Sequence, residues 1–329
     1  MKPYLREYKS HIIEFGKIFL KAYNETNELS LKAKNIIICG MGGSSITGNY
    51  IDSLAHHFKS KMQVIVWKEY NLPPYISKEW FALVISYSGN TEETISMTNE
   101  LLDKGIETQI MTAGGKLMDI ANAANIPLHK LAIGYQPRYA LPMILGKTIR
   151  LFTVALGFDS ITNSQKEGII NFENIENEQN WANIINSCVS KKIIILSDNF
   201  LNPAALRFRC QLNENSKLIA QNYVLPEFNH NGIVGLESMN ENEYVVFIIL
   251  NDQYEHVRTR VQRMFVEKYL KEKQVEVINI NTKYTDLLVH ILSVTKNLDF
   301  LSFLIAQNMG IDPIKVESIS QLKTNLQEN

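Results

Sequence analysis

Residues Ile38 to Tyr50 read ICGMGGSSITGNY, a turn rich in glycine and serine that follows an apolar run and precedes residues at helical spacing. Backbone N–H groups and the dipole of a helix that begins at such a turn favour a bound anion. The turn has a plainer interpretation as well, a tight strand-to-helix connection in which glycine supplies a positive φ. The stretch therefore leaves two alternatives, an anion site and a structural turn.

The same turn nearly matches the dinucleotide-binding pattern GxGxxG. Gly40 and Gly42 occupy the first two glycine positions, but Ser45 stands at the third. Glu69 lies too far along the chain to be expected as the acidic residue that binds the ribose. A nucleotide-dependent dehydrogenase is consequently a weak alternative, which predicts that the chain binds a nicotinamide nucleotide.

Short apolar segments alternate with helical patterns along most of the chain. In the first half, strands are predicted at 35–40, 63–67, 82–88 and 108–113, and helices at 3–32, 44–58, 91–104, 116–124 and 141–156. In the second half, strands at 192–198, 217–221, 244–250 and 275–280 alternate with helices at about 203–212, 254–273 and 284–308. Near-continuous apolar strands separated by helices predict an α/β fold with a doubly wound, flavodoxin-like parallel sheet in each half.

A polar stretch separates the two halves. Residues 160–180 read SITNSQKEGIINFENIENEQN and are rich in asparagine and glutamate, which is typical of an interdomain connection. We therefore predict an N-terminal domain at 1–157, with a leading helix, and a C-terminal domain at 158–329, with a C-terminal tail.

Composition and charge argue against several classes of function. The 33 Lys and Arg nearly balance the 34 Asp and Glu, so no long-range field favours nucleic acid or an anionic membrane. Cys39, Cys188 and Cys210 have no metal-ligand or redox spacing and fit a reducing compartment as small core residues. The polar N-terminus and the lack of a long uninterrupted apolar stretch predict a cytoplasmic protein.

A second strand-to-helix loop reads ISYSGNTEET at 85–94. It offers three hydroxyls within six residues, those of Ser86, Ser88 and Thr91. Hydroxyls and main-chain N–H groups at a helix N-terminus suit a phosphate monoester where no lysine is close by. The plainer alternative is a helix cap with Ser88 or Asn90 as the N-cap residue, but three hydroxyls exceed what a cap requires.

The combination of GMGGSS and SYSGNTEET resembles the sugar isomerase (SIS) fold. Three further segments are similar to those of the bifunctional phosphoglucose/phosphomannose isomerases of archaea and some bacteria, namely GYQPRYALP at 134–142, PEFNHNGIVGLE at 226–237 and GIDPIKVESISQLK at 310–323. The similarity runs in order from residue 35 to 323. It implies two SIS-type domains and the reversible interconversion of glucose 6-phosphate and mannose 6-phosphate with fructose 6-phosphate.

The resemblance implies roles for ten residues. The sugar would lie along the first loop and the phosphate at the second, which nominates Gly42, Gly43, Ser44, Ser86, Ser88 and Thr91 as substrate-binding residues. The implied catalytic set is Arg138, Glu214, which lies sixteen residues before the histidine of NHN, His230 and Lys323. No cofactor and no metal are implied. The resemblance also implies a homodimer in which His230 reaches the neighbouring subunit's site.

These residue types suit aldose–ketose isomerisation through a cis-enediolate. A carboxylate such as Glu214 can take a proton from one carbon and return it to the next. The guanidinium of Arg138 stays protonated and can stabilise charge that develops on O1 and O2. His230 and Lys323 can share the proton transfers that open the sugar ring.

Each catalytic residue also has a plainer interpretation. Glu214 lies in the polar stretch QLNENSK, where a solvated glutamate is ordinary, and His230 can simply hydrogen-bond a loop. Arg138 and Lys323 can be surface charges. The order and spacing of the segments together favour the catalytic interpretation.

Two departures from the family pattern concern the sugar pocket. GMGGSSITG stands where the family commonly has GMGGSGIAG, so Ser45 and Thr47 are expected to add bulk beside the sugar, unless Ser45 points elsewhere. Ile314 follows Asp-Pro where threonine is common, which would alter the balance between the two epimers.

Two other functions remain open alternatives. SIS domains also serve as non-catalytic regulators that bind sugar phosphates, and turnover of fructose 6-phosphate separates that function from an enzyme. A metal-dependent mannose phosphate isomerase would require clustered histidine and carboxylate ligands.

Overall fold

The computed structural model describes residues 3–33, 35–172, 181–239, 245–281 and 284–328. The chain forms two compact units, Met1–Phe172 and Glu173–Asn329. The first unit thus runs to Phe172, whereas the sequence predicts a boundary at 157. Each unit has its own parallel sheet with interleaved helices, which confirms the α/β fold class.

The first unit has a five-stranded sheet. In chain order its elements are α1 (Pro3–Ile13), α2 (Phe15–Asn24), β1 (Asn35–Cys39), α3 (Gly42–His57), β2 (Gln63–Trp67), β3 (Trp80–Ser86), α4 (Glu92–Asp103), β4 (Glu107–Thr112), α5 (Gly115–Ala123), β5 (Leu128–Lys130), a 3-10 turn (Pro137–Ala140), α6 (Leu141–Leu156) and α7 (Asn163–Ile170). The strand order is β2-β1-β3-β4-β5, the flavodoxin-like order. All strand pairs are parallel, and Asn35 lies opposite both Gln63 and Trp80.

The strand order reverses between β1 and β3. Both strands are buried along almost their whole length, because helices cover both faces of the sheet and their apolar residues can pack on either side. In doubly wound sheets, ligands bind at the carboxyl ends of the strands where the order reverses. The loops that follow β1 and β3 occupy this position in the first unit.

The polar stretch at 160–180 is only partly a connection. Asn163–Ile170 form α7, which begins with a capping box between Thr162 and Gln165. Ile169 is fully buried against α2, where a Cβ on Gly16 would lie 2.0 Å from the Ile169 carbonyl oxygen. Helix α7 therefore belongs to the first unit, and residues 173–180 lie outside the described part of the chain.

The second unit has a four-stranded sheet. Its elements are α8 (Trp181–Ser190), β6 (Lys192–Ser197), α9 (Asn202–Gln211), a π-helical turn (Leu212–Ser216), β7 (Ala220–Val224), two 3-10 turns (Glu227–His230 and Gly232–Leu236), β8 (Val245–Leu250), α10 (Val257–Glu272), β9 (Glu276–Ile280), α11 (Leu287–Asn308) and α12 (Glu317–Glu328). The strand order is β7-β6-β8-β9, all parallel, and Ile193 lies opposite Ala220 and Val246. The order again reverses beside the first strand, between β6 and β8.

Three predicted elements differ from the structure. The helix predicted over 3–32 is two helices that break at Glu14, and residues 25–33 are not helical. The strand predicted at 217–221 begins three residues later, because Lys217 has a φ of +57° and Leu218 N–H still donates to the Leu212 carbonyl. The segment predicted as a tail contains α12.

Two helical stretches are long and apolar enough to cross a membrane by length and composition only, Pro137–Leu156 and Leu287–Asn308. Of their most apolar windows, 78% and 89% are buried inside the protein. Core helices of soluble proteins pass the same test, and these two stretches fill the interiors of their units.

Two of the cysteines are core residues. Cys39 in β1 and Cys188 in α8 are fully buried, which confirms the prediction for both. Burial raises the pKa of the Cys39 thiol far above its ordinary value and that of Cys188 to about 12. Cys210 is only half-buried. The two core thiols consequently stay protonated and unreactive at neutral pH.

Candidate active site

The GMGGSS turn joins β1 to α3 at the edge of the sheet where the strand order reverses. Gly42 begins α3 with a φ of +52°, a conformation that favours glycine. Gly40 lies so close to the end of β3 that a Cβ there would be 2.8 Å from the Ile85 carbonyl oxygen. The two glycines thus hold the turn against the start of the second loop. Gly43 and the buried Ser44 follow in the first turn of α3.

Ser45 and Thr47 lie within the first unit. Ser45 is 2% exposed, and its hydroxyl donates to the Gly42 carbonyl at 2.9 Å. Thr47 is fully buried. Both side chains are therefore enclosed by the first unit, and the hydroxyl of Ser45 is bonded to the turn itself.

The SYSGNTEET loop presents its three hydroxyls between β3 and α4. Ser86 Oγ lies 3.0 Å from Thr91 Oγ1 and accepts a hydrogen bond from Gly89 N–H at 3.2 Å. Ser88 is exposed and accepts from Asn90 N–H at 3.3 Å. Ser86 is buried, Thr91 is half-buried and Ser88 is exposed, so the three hydroxyls extend from the edge of the sheet to the protein surface.

The predicted helix cap at Ser88 or Asn90 is wrong. Thr91 is the N-cap residue of α4, and its side chain makes no capping hydrogen bond to the helix. Its hydroxyl contacts Ser86 instead, so none of the three hydroxyls satisfies a helical N–H group. Gly89 fixes the loop, because it has a φ of +67° and a Cβ there would lie 1.8 Å from the Gly114 carbonyl oxygen.

A lysine lies at the same edge of the sheet. Lys68 follows β2, the neighbour of β1, and its Nζ donates to Asn49 Oδ1 on α3 at 3.1 Å. Sequence reasoning missed this residue, because the pairing of β2 with β1 is not visible in the local pattern around position 68. The lysine adds a positive charge near α3.

Arg138 is buried in the first unit, not a surface charge. It is 5% exposed in the 3-10 turn that precedes α6. Its guanidinium lies 5.6 Å from the ring centres of both Tyr8 and Tyr139, and these two rings meet edge to face. Cation–π attraction stabilises a charge that cannot be lost by deprotonation. The arrangement supplies a permanent positive charge in the first unit.

Glu214 lies in the π-helical turn that continues α9 in the second unit, and it is half-buried. The next two residues are fully buried and anchor the turn to α11. Asn215 Nδ2 donates to Ser302 Oγ at 2.9 Å, and Ser216 Oγ donates to the Ser302 carbonyl at 2.8 Å. These two hydrogen bonds hold the residues that follow Glu214 in place, while the carboxylate of Glu214 remains partly accessible to solvent.

Deeper in the same unit, a buried ion pair joins α9 to α11. Arg207 Nε and Nη2 each donate to the Asp299 carboxylate at 2.9 Å, and both side chains are almost fully buried. Ser302 Oγ donates to the Asp299 carbonyl at 2.7 Å. The pair and the Ser302 contacts form one continuous polar network beneath the Glu214 turn.

Lys217 connects the Glu214 turn to the segment before α12. Its Nζ donates to the Glu214 carbonyl at 2.5 Å and to the Lys315 carbonyl at 2.6 Å. The turn and the 311–319 segment enclose a cavity of about 500 Å³, and its lining residues include Glu214, Lys217, Asp312 and Glu317. The sequence does not indicate that Lys217 connects these two segments, because the left-handed backbone at this residue is what directs its side chain towards both carbonyls.

His230 and Lys323 do not line this cavity. His230 is exposed at the end of a 3-10 turn, and the asparagines on either side hold the loop. Asn229 Nδ2 donates to Gln262 Oε1 at 3.0 Å, and Asn231 Nδ2 donates to Glu227 Oε1 at 2.7 Å. Lys323 is exposed on α12.

Ile314 lies near the cavity beside Glu214 without lining it. Its N–H donates to Asp312 Oδ1 at 2.9 Å. Ile314 therefore does not contact this cavity directly, and the structure gives no support for its expected influence on the sugar pocket.

The second sheet carries buried acids where its strand order reverses. Asp198 follows β6 and Asp252 follows β8, and both side chains are buried. His290 of α11 lies 3.3 Å from Asp252, with its ring stacked on Phe200. In the part of the chain that the structure describes, no group of three or more His, Cys, Asp or Glu side chains is placed to hold a metal ion.

The acid pair predicts a pH-dependent stability. Burial, and then the charge of Asp252, raise the pKa of Asp198 from 3.8 to about 7. Because the folded pKa lies above the unfolded one, the folded protein binds the extra proton between about pH 4 and pH 7. The free energy of unfolding should therefore fall by about 2–4 kcal/mol as the pH rises through this window.

Urea unfolding at pH 5 and pH 8 tests this prediction with Asp198→Asn as the matched variant. The amide oxygen of asparagine can still accept the hydrogen bond that Leu201 N–H donates to Asp198 at 3.0 Å. We expect the variant to lose most of the pH difference seen in the wild type. Equal pH differences in the two proteins would contradict the assignment.

Comparison with known proteins supports one family. Residues 178–326 match the bacterial phospho-glucose isomerase C-terminal SIS domain. The chain is 31% identical to the bifunctional phosphoglucose/phosphomannose isomerase of Caldicellulosiruptor bescii over 94% of this chain and 95% of that protein. It is 30% identical to the protein of the same name from Aquifex aeolicus over 90% of this chain and 91% of that protein.

A relative with a different named activity is also similar. The D-glucosamine-6-phosphate 4-epimerase of Sulfolobus acidocaldarius is 30% identical over 67% of this chain and 70% of that protein.

Solved structures share the fold at low sequence identity. The C-terminal domain of glucosamine-fructose-6-phosphate aminotransferase from Francisella tularensis is 16% identical, with a TM-score of 0.69 over 95% of this chain and 98% of that chain. The tagatose-6-phosphate ketose/aldose isomerase of Escherichia coli is 13% identical, with a TM-score of 0.65 over 94% and 93% of the two chains. The sequence relatives show that the chain is a sugar-phosphate isomerase and belongs to the bifunctional phosphoglucose/phosphomannose isomerase family.

Proposed function

We propose that the protein interconverts glucose 6-phosphate and mannose 6-phosphate with fructose 6-phosphate, in the cytoplasm and without a metal. The observation that carries this proposal is the cluster of three hydroxyls in the loop between β3 and α4, where the first sheet reverses its strand order. None of the three hydroxyls caps α4. A phosphate monoester needs such donors at a strand-to-helix edge. The names of the relatives supply the two aldose substrates.

The two loops of the first unit bind the substrate in this proposal. Ser86, Ser88 and Thr91 donate hydrogen bonds to the phosphate, and the carbon chain lies along Gly42, Gly43 and Ser44. A glycine turn suits this task because it lets a ligand approach the backbone closely. The buried hydroxyl of Ser44 lies in the first turn of α3, where it can contact a sugar oxygen.

Glu214 transfers the proton between C1 and C2 in the proposed mechanism. A rigid turn suits a general base, because proton transfer requires a fixed distance to both carbons. Arg138 supplies the permanent positive charge that stabilises the enediolate oxygens. His230 and Lys323 carry the protons that open the ring, and in the proposed homodimer His230 serves the site of the neighbouring subunit.

A coupled assay tests the proposed function. We expect fructose 6-phosphate to be converted to both aldose phosphates, with unchanged rates in excess chelator. Loss of activity that returns with added divalent metal would favour a metal-dependent mannose phosphate isomerase. Tight binding of fructose 6-phosphate without turnover would favour a regulator, and binding of a nicotinamide nucleotide would favour a dehydrogenase.

The epimerase relative requires a further arm of this assay. Glucosamine 6-phosphate is offered alone, and the product is identified by NMR. Epimerisation at C4 that is faster than the isomerisation of glucose 6-phosphate would contradict the proposed reaction.

Replacement of Ser88 by alanine is expected to raise KM for glucose 6-phosphate about tenfold, because one charge-assisted hydrogen bond to the phosphate contributes about 1.5 kcal/mol. kcat should change less than about threefold. Ser96→Ala, on the same helix beyond the loop, is the matched control and should keep the wild-type KM. Equal KM values in wild type and Ser88→Ala would remove Ser88 from the phosphate site.

Replacement of Lys217 by methionine is expected to lower kcat about tenfold, because the Glu214 turn loses its tie to the 311–319 segment. Lys217→Arg should recover most of the activity, since arginine can donate to both carbonyls. Lys315→Ala is the matched control, because only its backbone carbonyl takes part.

A positioning role predicts that kcat falls while KM and the pH profile of kcat/KM stay near those of the wild type. If Lys217→Met kept the wild-type kcat, or if Lys315→Ala lost as much, the tie would have no part in catalysis.

A further inference from the structure

Tyr87 lies between two hydroxyl residues of the SYSGNTEET loop, Ser86 and Ser88, and it is 9% exposed. Its phenol oxygen accepts a hydrogen bond from Tyr135 N–H at 2.9 Å and donates one to the Ala132 carbonyl at 3.0 Å. A tyrosine hydroxyl can both donate and accept, and here it does both. The hydroxyl therefore joins the loop after β3 to the segment before the 3-10 turn, and we call this pair of hydrogen bonds the Tyr87 bridge.

The Tyr87 bridge connects a surface segment to the first sheet. On one side of the bridge, Ala132, Ile133 and Gly134 are exposed, and Gly134 has a φ of +99°. On the other side, Tyr87 follows directly after β3, and its carbonyl accepts a hydrogen bond from Ala113 N–H at 3.1 Å. The phenol group thus fastens the surface segment to the edge of the sheet.

A short and stiff piece of chain leads from the bridge to Arg138. Arg138 is the third residue after Tyr135, and three residues span at most about 11 Å. Pro137 begins the 3-10 turn with a φ that its ring restricts, and Gln136 before it is extended, with a φ of −63° and a ψ of 139°. Tyr139 N–H donates to the Gln136 carbonyl at 2.8 Å. A displacement of the Tyr135 backbone is therefore transmitted to the Arg138 guanidinium.

We propose that Tyr87 is a positioning residue, which couples the loop that binds the phosphate to the guanidinium that stabilises the enediolate. This inference rests on the proposed function, because it takes the roles of Ser86, Ser88 and Arg138 from there. Tyr87 is covalently linked to both serines, so a phosphate that fixes their hydroxyls also fixes the Tyr87 bridge. Binding energy from a remote group of the substrate is then used at the reacting carbons, where it accelerates the reaction.

Tyr87→Phe tests the bridge, because it removes the hydroxyl and keeps the buried ring. We expect kcat for fructose 6-phosphate to fall about tenfold, since Arg138 is no longer held in the reactive geometry. KM should change less than about threefold, because the phosphate-binding hydroxyls remain. Tyr135→Phe is the matched control and should keep the wild-type kcat, because the bridge uses the backbone N–H of Tyr135. A wild-type kcat in Tyr87→Phe, or a loss confined to KM, would overturn the proposal.

A double variant tests whether Tyr87 acts through Arg138. Arg138→Met alone should lower kcat about 10²-fold, which leaves a measurable rate. In the Arg138→Met background, Tyr87→Phe should lower kcat less than about twofold further, because the group that Tyr87 positions is already absent. A merely structural tyrosine would give the same loss in both backgrounds, and that outcome would overturn the proposal. Circular dichroism and thermal unfolding verify that all variants are folded.

Hydrogen exchange measures the coupling without turnover. Inorganic phosphate is the probe, and mass spectrometry follows the backbone amides of residues 131–139. We expect saturating phosphate to slow their exchange at least about threefold in the wild type and to have no effect in Tyr87→Phe. Equal slowing in the two proteins would overturn the coupling.

The same measurements distinguish failure of the coupling from failure of the proposed function. A wild type that neither converts fructose 6-phosphate nor binds phosphate in calorimetry would overturn the proposed function, and the coupling with it. An active wild type whose kcat and phosphate-dependent exchange are matched by Tyr87→Phe would overturn the coupling and leave the proposed function intact.

Discussion

Glutamine in place of Glu214 is expected to lower kcat for fructose 6-phosphate about 10³-fold, within the range that a general base contributes. The amide has nearly the same shape as the carboxylate but cannot accept the proton from carbon. Asn215 and Ser216 keep their contacts with Ser302, so the turn should retain its position. The coupled assay measures kcat, and titration calorimetry of the inactive variant measures the Kd for fructose 6-phosphate, which should change less than about threefold.

A second glutamate in the same cavity provides the matched control. Glu317 lines the cavity beside Glu214 and is exposed on the first turn of α12. Glu317→Gln should keep at least half of the wild-type kcat, because no proton transfer is assigned to it. Unchanged turnover in Glu214→Gln, or an equal loss in both variants, would contradict the assignment of Glu214 as the base.

The second large effect concerns stability. Replacement of Arg207 by methionine is expected to destabilise the second unit by about 3–5 kcal/mol, because Asp299 is then left buried without its partner. Burial already raises the pKa of Asp299 despite the opposing effect of Arg207. Denaturant unfolding monitored by circular dichroism measures the change in the free energy of unfolding.

A double variant separates the loss of the ion pair from the burial of an unpaired charge. Arg207→Met with Asp299→Leu removes both charges and should regain most of the stability, to within about 2 kcal/mol of the wild type. Lys268→Met breaks an exposed ion pair with Glu272 on α10 and should cost less than about 1 kcal/mol. If the double variant were as unstable as Arg207→Met, the unpaired carboxylate of Asp299 would not be the cause of the lost stability.

The order of strands and helices could be predicted where the sequence has long apolar runs. The strand at 63–67 and the helix at 141–156 have the predicted bounds, because β-branched and apolar residues end abruptly at polar ones. The strand at 217–221 was displaced, since it lies at the edge of the second sheet and alternates between buried and exposed residues. Helix α7 was hidden in a polar stretch because only Ile169 is fully buried in it.

The two loops of the candidate site could be proposed from the sequence because each is local. The turn after β1 and the three hydroxyls after β3 are contiguous in sequence, so their types and spacing indicate anion binding directly. The cap residue of α4 was predicted wrongly, because the contact between Thr91 and Ser86 depends on the folded loop. The two tyrosines around Arg138 could not be predicted, since Tyr8 belongs to α1.

The residues that hold the Glu214 turn in place cannot be recognised from any local sequence pattern. Arg207 and Asp299 lie 92 residues apart in the chain and meet only because α9 packs on α11. Lys217 meets the Lys315 carbonyl across 98 residues. Such contacts arise from tertiary packing, which neither periodicity nor turn signals encode.

Isomerisation of fructose 6-phosphate in D₂O tests most directly whether a carboxylate moves the proton between C1 and C2. A base that exchanges with solvent delivers deuterium to C2 of the aldose product, which proton NMR detects as the loss of the H2 signal. We expect glucose 6-phosphate and mannose 6-phosphate that carry deuterium at C2 from the wild type, and neither product nor exchange at C1 from Glu214→Gln. Formation of the aldose phosphates, or exchange at C1, by Glu214→Gln at the wild-type rate would contradict proton transfer by Glu214.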